Sequence, residues 1–197
     1  MTQRATGPGQ SALLLLDVVA VLNALHVPHA VIGALAASFH GVVRASLDAD
    51  ALISLPPGRA EISRLIDALR RARLKSRFRH GEPGDPVGAV ISVEDRFANR
   101  VDLLMKIRGM TEAVFSRTVE VDFMKARIRV IGAEDFIAMK AFAGSPKDLS
   151  DATGVLQVSS DRINLTLLKT LVQPYGKRTL RTLETLLQGA RHLRDAR

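Results

Sequence analysis

Three aspartates carry the chemistry that this sequence offers. Asp48 and Asp50 lie two apart in residues 47–55, where acidic and apolar residues alternate. In a strand, residues two apart share a face, so both carboxylates project together. Adjacent carboxylates repel unless a cation lies between them. Magnesium binds through one or two carboxylates plus substrate phosphates, which would explain acids set among Leu47, Ala49, Ala51 and Leu52. Asp102, between Val101 and Leu103 on a separate expected strand, supplies a third acid. If the two strands are neighbours, the three could hold the metals of a phosphoryl-transfer site. The competing reading puts Asp48 and Asp50 in an exposed turn and Asp102 on an edge strand. Upstream, residues 31–36 predict a strand, then Gly33, then a helix. That order presents backbone N–H groups and a positive helix end to a phosphate.

The elements that must position these residues follow from periodicity. A buried helix is expected over residues 11–25 with Ser11 as N-cap, a short strand over 29–32, and a small-residue helix over 34–40 closed by Gly41. His40 would end that helix, where an imidazolium suits the negative end. Apolar residues Ile62, Leu65, Ile66, Leu69 and Ala72 predict a helix from Arg59 to about Phe78. Strands follow at 89–93 and 100–107, and a hairpin at 118–123 and 127–131. Beyond Gly132 the pattern turns helical, over 134–143, 147–157, 164–172 and 179–193. Strands mixed with helices followed by a helical run predict an α+β fold. The expected division is residues 1–132 as one domain and 133–197 as a helical region packed behind it.

Composition narrows the classes. Of 197 residues, 47% are hydrophobic and 24% charged, which excludes a disordered or fibrous chain. With no cysteine there is no disulfide framework and no thiolate metal site. The apolar run at residues 12–25 is interrupted by Asp17 and Asn23 and is short for a membrane span, so a cytoplasmic protein is expected. Lys and Arg outnumber Asp and Glu by 28 to 20, a net charge of +8 that makes polyanions plausible partners. Residues 59–80 and 162–197 each carry eight basic and two acidic side chains, so the excess sits in two helical stretches. No histidine pair has metal-ligand spacing.

The residues Ile32-Gly33-Ala34-Leu35-Ala36, His40-Gly41 and Arg44-Ala45-Ser46-Leu47-Asp48-Ala49-Asp50 resemble the first motif of the nucleotidyltransferase superfamily. They are most similar to small bacterial AbiEii-type proteins, the type IV abortive-infection toxins. Val101-Asp102-Leu103 matches the third family carboxylate. Residues 134–140 and 143–151 resemble the downstream Lys and Lys-Asp-x-x-Asp helices. The resemblance implies a palm-like mixed β-sheet flanked by helices. It implies Mg2+ (or Mn2+) at Asp48, Asp50 and Asp102, and an NTP whose phosphates lie against Gly33 and Ala34. Asp102 would help to activate the acceptor hydroxyl, and Lys140 would reach the triphosphate.

Arg44 either steadies the carboxylates or meets a phosphate. The resemblance puts Lys147 and Asp148 on the nucleotide side. Asp148 and Asp151, three apart on one helix face, could instead orient Lys140 or Lys147, add solubility, or pin the helices to the palm. Two departures from the family pattern are Ala34, where a second Gly or Ser is usual, and Ser145, where Arg is frequent. The expected activity is transfer of NMP from an NTP to an acceptor hydroxyl on RNA, tRNA or protein, with release of pyrophosphate. By the resemblance it would be a toxin held in check by an antitoxin protein. The alternatives are an aminoglycoside-like small-molecule acceptor, or a weakened module that binds nucleotide or nucleic acid.

Overall fold

The computed structural model describes residues 4–195. The chain divides into two compact units. The first comprises residues up to Leu35, Ala45–Arg108 and Thr118–Val130; the second comprises Ala36–Arg44, Gly109–Arg117 and the chain from Ile131 onward.

A seven-stranded mixed sheet is the body of the first unit. Its strands are β1 (His29–Ile32), β2 (Asp48–Ile53), β3 (Lys75–His80), β4 (Val87–Glu94), β5 (Arg100–Ile107), β6 (Val119–Phe123) and β7 (Ala126–Val130), in the order β3-β4-β5-β2-β1-β7-β6. The β2/β5 and β1/β7 pairs are parallel and the rest antiparallel. The fold class is therefore α+β with a mixed sheet, as the residue pattern predicts. One face is apolar: Ala49, Ala51, Ile91, Val93, Val101 and Leu103 are all buried. Helix α1 (Ser11–Ala24) packs on β2 and β5, and α3 (Arg59–Arg71) packs on α1 and β3. Strand alternation turns Asp48, Asp50 and Asp102 to the opposite face.

Helix α1 is nearly enclosed, and its one charge, Asp17, is 4% exposed. Arg4 neutralises it, donating from its backbone N at 2.9 Å and from Nη1 at 2.8 Å. No helix among the described residues is long and apolar enough to cross a membrane. Ser11 is not the cap of α1, since Gln10 occupies that position. The Ser11 hydroxyl instead donates to Leu47 O at 2.5 Å and accepts from Arg100 N at 3.1 Å. It ties the start of β2 to the start of β5.

The helix expected to reach Phe78 ends at Arg71, and β3 follows. Arg73 turns the chain with φ of 62°. From Lys75 the basic residues alternate with Ser76, Phe78 and His80, a two-residue period that the helix-like spacing of the preceding residues masks. The β6/β7 hairpin turns through Met124 and Lys125, both at positive φ. That geometry matches the right-handed twist of the flanking strands.

The second unit is helical, with most of α2 (Gly33–Phe39), then α4 (Ala133–Ala143), α5 (Pro146–Val158), α6 (Leu165–Val172) and α7 (Lys177–Asp195). Helix α4 is its centre, with Phe136, Ile137, Ala138 and Ala141 almost wholly buried. Gly144 ends it in the left-handed conformation, and Ser145 caps α5 by accepting from Asp148 N. Asp135, also buried, is held by two hydrogen bonds from Arg117. His40 directly follows Phe39, the last residue of α2, as expected, but it is half-buried there. Burial lowers its pKa, opposed by its hydrogen bond to Ile131 O at 2.8 Å.

His29 in β1 is 2% exposed and bonds Val27 O through Nδ1 at 2.9 Å. Burial lowers its pKa, and the charge of Arg129 adds to that. The folded chain thus refuses a proton that the unfolded chain accepts below about 6.5. Stability from this residue is complete above that pH and is lost as pH falls below it. Chemical denaturation of His29→Gln is expected to show a flatter loss of stability between about pH 6.5 and 5 than the parent chain.

Candidate active site

The β2/β5 register puts the three aspartates on one sheet face. In the parallel β2/β5 register Asp50 is opposite Asp102, and Asp48 is opposite Arg100. The rows continue across β4 and β3. One runs Asp50, Asp102, Ser92, Arg77; the next runs Asp48, Arg100, Glu94, Lys75. Asp48 is exposed, while Asp50 and Asp102 are half-buried. The neighbouring strands set Asp50 and Asp102 about 4.7–4.9 Å apart at the backbone.

Gly33 fixes Asp50 from the other side. It ends β1 with φ of 66°, and a Cβ there would stand 2.1 Å from Asp50 Oδ2. The bare Cα lets the carboxylate rest on the β1–α2 turn, so the glycine is needed for both conformation and space. Ala34, the next residue, is buried at 5% exposure.

Arg100 is the site residue that motif reading misses. Its Nε and Nη2 donate to Asp102 Oδ1 and Oδ2 at 3.1 and 2.7 Å. The bonds to Asp102 hold the guanidinium more firmly protonated than usual, and the charges of Asp48 and Asp50 add to this. Its only sequence signal is a position two before Asp102, on the same strand face. The loop before it is tied by hydrogen bonds. Asp95 Oδ1 accepts from Phe97 N and Asn99 N, and Asn99 Nδ2 donates to Asp95 Oδ2 and Gly7 O.

Among the described residues, no three carboxylates or imidazoles converge closely enough to hold an ion. The donor set nonetheless suits a hard divalent cation, being oxygen-only with two carboxylates side by side in register. Asp50 and Asp102, with Asp48, are the residues that would hold it.

Lys140, Arg44 and Asp148 belong to the second unit and form a cluster there around Asp151. Lys140 Nζ reaches Asp148 Oδ1 at 2.7 Å and Asp151 Oδ2 at 3.0 Å. Arg44 donates to both Asp151 oxygens, at 2.9 and 3.2 Å. Arg44 Nη1 is buried without a hydrogen-bond partner. Burial alone would raise the Asp148 carboxyl, but bonds from Lys140 and Ser145 bring it below the ordinary range. Lys147 is exposed and makes no ion pair among the described residues. Lys140 is 7% exposed and ties α4 to α5.

Two substitutions test these arrangements. Lys140→Met removes the cation shared by Asp148 and buried Asp151, leaving Arg44 as the one cation on that pair among the described residues. It is expected to cost about 3 kcal/mol, lowering Tm by roughly 6–12 °C. A lysine serving substrate alone would leave Tm unmoved. Gly33→Ala is expected to cost about 1–3 kcal/mol in thermal unfolding and to displace Asp50, whereas Ala34→Gly should leave Asp50 in place.

No protein-family model matches the chain, and no curated protein matches it by sequence. Solved structures do. An antigenic nucleotidyltransferase-like protein from Paracoccidioides brasiliensis aligns with a TM-score of 0.57 at 12% identity, over 98% of this chain and 94% of that one. ANT(2'')-Ia in complex with adenylyl-2''-tobramycin aligns with a TM-score of 0.55 at 13% identity, over 84% of this chain and 96% of that one. The solution structure of the antibiotic-resistance factor ANT(2'')-Ia gives 0.54 at 14% identity, over 93% and 97%. The likeness is one of fold, which this chain shares with these solved structures.

Proposed function

We propose that this chain is a divalent-metal-dependent nucleotidyltransferase that moves a nucleoside monophosphate from an NTP to a hydroxyl of an RNA acceptor. The observation that carries the reading is the Asp50/Asp102 pair, in register on neighbouring strands, with Asp48 on the same face and Asp50 seated on Gly33. The acceptor oxygen attacks the α-phosphorus, the bond to the β-phosphate bridge breaks, and pyrophosphate leaves. Asp102 takes the hydroxyl proton on this reading, by its place in the carboxylate row, once Arg100 releases one of its oxygens. Mg2+ or Mn2+ held at Asp48, Asp50 and Asp102 would supply charge stabilisation for the phosphate oxygens.

Lys140, Lys147, Asp148 and Arg44, like Gly33 and Ala34 on the phosphate side, are assigned to the nucleotide on the motif alone. The step above depends on none of the second unit's residues. The basic edge of the first unit supports a polyanionic acceptor. Lys75, Arg77 and Arg79 are exposed on edge strand β3, on the carboxylate face, and none makes an ion pair among the described residues. Alternate strand residues repeat at about 6.5–7 Å, a spacing suited to successive backbone phosphates. Motif order further supports a place beside the AbiEii-type toxins, acting in the cytoplasm with a restraining antitoxin protein.

A second reading has one observation in its favour, the structural likeness to ANT(2'')-Ia, solved with adenylyl-2''-tobramycin. It makes the acceptor an aminoglycoside-like small molecule.

The test supplies each labelled NTP with Mg2+ or Mn2+ and either total RNA or tobramycin. Label entering RNA with release of pyrophosphate is expected, reduced at least about 100-fold in Asp50→Asn. Label on tobramycin alone would move the assignment to the second reading. Absence of pyrophosphate with every donor and acceptor would remove both.

A further inference from the structure

The cation position beside the carboxylate pair is filled from within the sheet. Arg100 stands opposite Asp48 across β2/β5, and it engages both oxygens of Asp102, the residue opposite Asp50. A guanidinium presents donors in a planar fork that matches a carboxylate, so this bidentate contact occupies the oxygens that a divalent ion would need. The fork is not buried: the Arg100 side chain is 46% exposed and that of Asp102 17%. The pair is therefore exchangeable, with a strength near that of a surface ion pair. Asp48 and Asp50 share the face with this pair, so carboxylate oxygens line the position that an ion would take.

We propose that Arg100 is a positioning residue that competes with the divalent ion for Asp102, so that metal entry is an exchange of guanidinium for ion. This rests on the carboxylates being a metal site. Ser11 and the Asp95–Asn99 loop anchor the backbone of Arg100, leaving only its side chain to move. Released, the fork remains on the carboxylate face, where a triphosphate offers it an equivalent bidentate partner. Metal arriving with nucleotide is thereby favoured over metal alone.

Mn2+ alone is the probe, titrated into the full chain while the electron paramagnetic resonance signal of the free ion is followed. Arg100→Gln is expected to bind Mn2+ about three- to tenfold more tightly than the parent. Arg96→Gln removes the same charge from an exposed arginine that sits over Phe97, and should stay within about twofold of the parent. Adding Asp102→Asn to Arg100→Gln should abolish the gain. An equal gain in Arg96→Gln, a gain that survives Asp102→Asn, or no gain in Arg100→Gln would each overturn the proposal. A gain in affinity cannot arise from unfolding. If no variant binds Mn2+, the proposal and the metal site fall together. If the parent transfers nucleotide in the presence of Mn2+ while Arg100→Gln gains no affinity, only the exchange fails. A gain without any nucleotide transfer leaves the exchange standing and removes the enzymatic reading.

Discussion

The parallel register of β2 with β5 is the constraint on which the rest depends. Because side chains alternate strictly between faces, a slip of one residue would send Asp102 into the apolar layer under α1 and bring Val101 to the acidic face. Burial of Ala49, Ala51, Val101 and Leu103 opposes such a slip through the apolar area it would expose. Ser11 opposes it through geometry, since its single hydroxyl spans the residue before β2 and the first residue of β5. A helix terminus thus acts as a gauge for two strands, and the acids inherit their alignment from it.

Both units handle charge by the same rule, with different degrees of commitment. In the first, half-exposed Arg100 pairs with Asp102, an arrangement that water screens and that can be remade. In the second, Lys140 and Arg44 share Asp151, which is 2% exposed, so separating them would leave charge in a poorly solvated place. The first arrangement suits a place where ligands come and go. The second suits a framework.

Much of this was legible in the residues alone. The Asp48–Asp50 spacing, the apolar flanks of Asp102, the glycine between β1 and the body of α2, and the full extent of β5 are local patterns, and each appears where its period requires. What was hidden depended on partners distant in sequence. Strand β3 was obscured because the apolar spacing of α3 runs into it without a glycine or proline break, and the turn falls on Arg73, a residue type with little taste for positive φ. Arg100 reads as an ordinary surface cation until the strand register puts it among acids. The enclosure of Lys140 could not be inferred from a helix whose residues on every side are buried, because such a helix has no polar face to announce.

The basic row on β3 has a further consequence for the molecule as a solute. An edge strand offers unpaired backbone groups to any other edge, including that of a second copy. Two copies meeting along β3 would bring Lys75, Arg77 and Arg79 of each against the same residues of the other, and like charges facing across strands repel. The edge is thereby guarded by its own side chains, and the guard is ionic. It weakens as salt shortens the reach of charge, so the molecule's colloidal behaviour is tied to ionic strength through three residues of one strand.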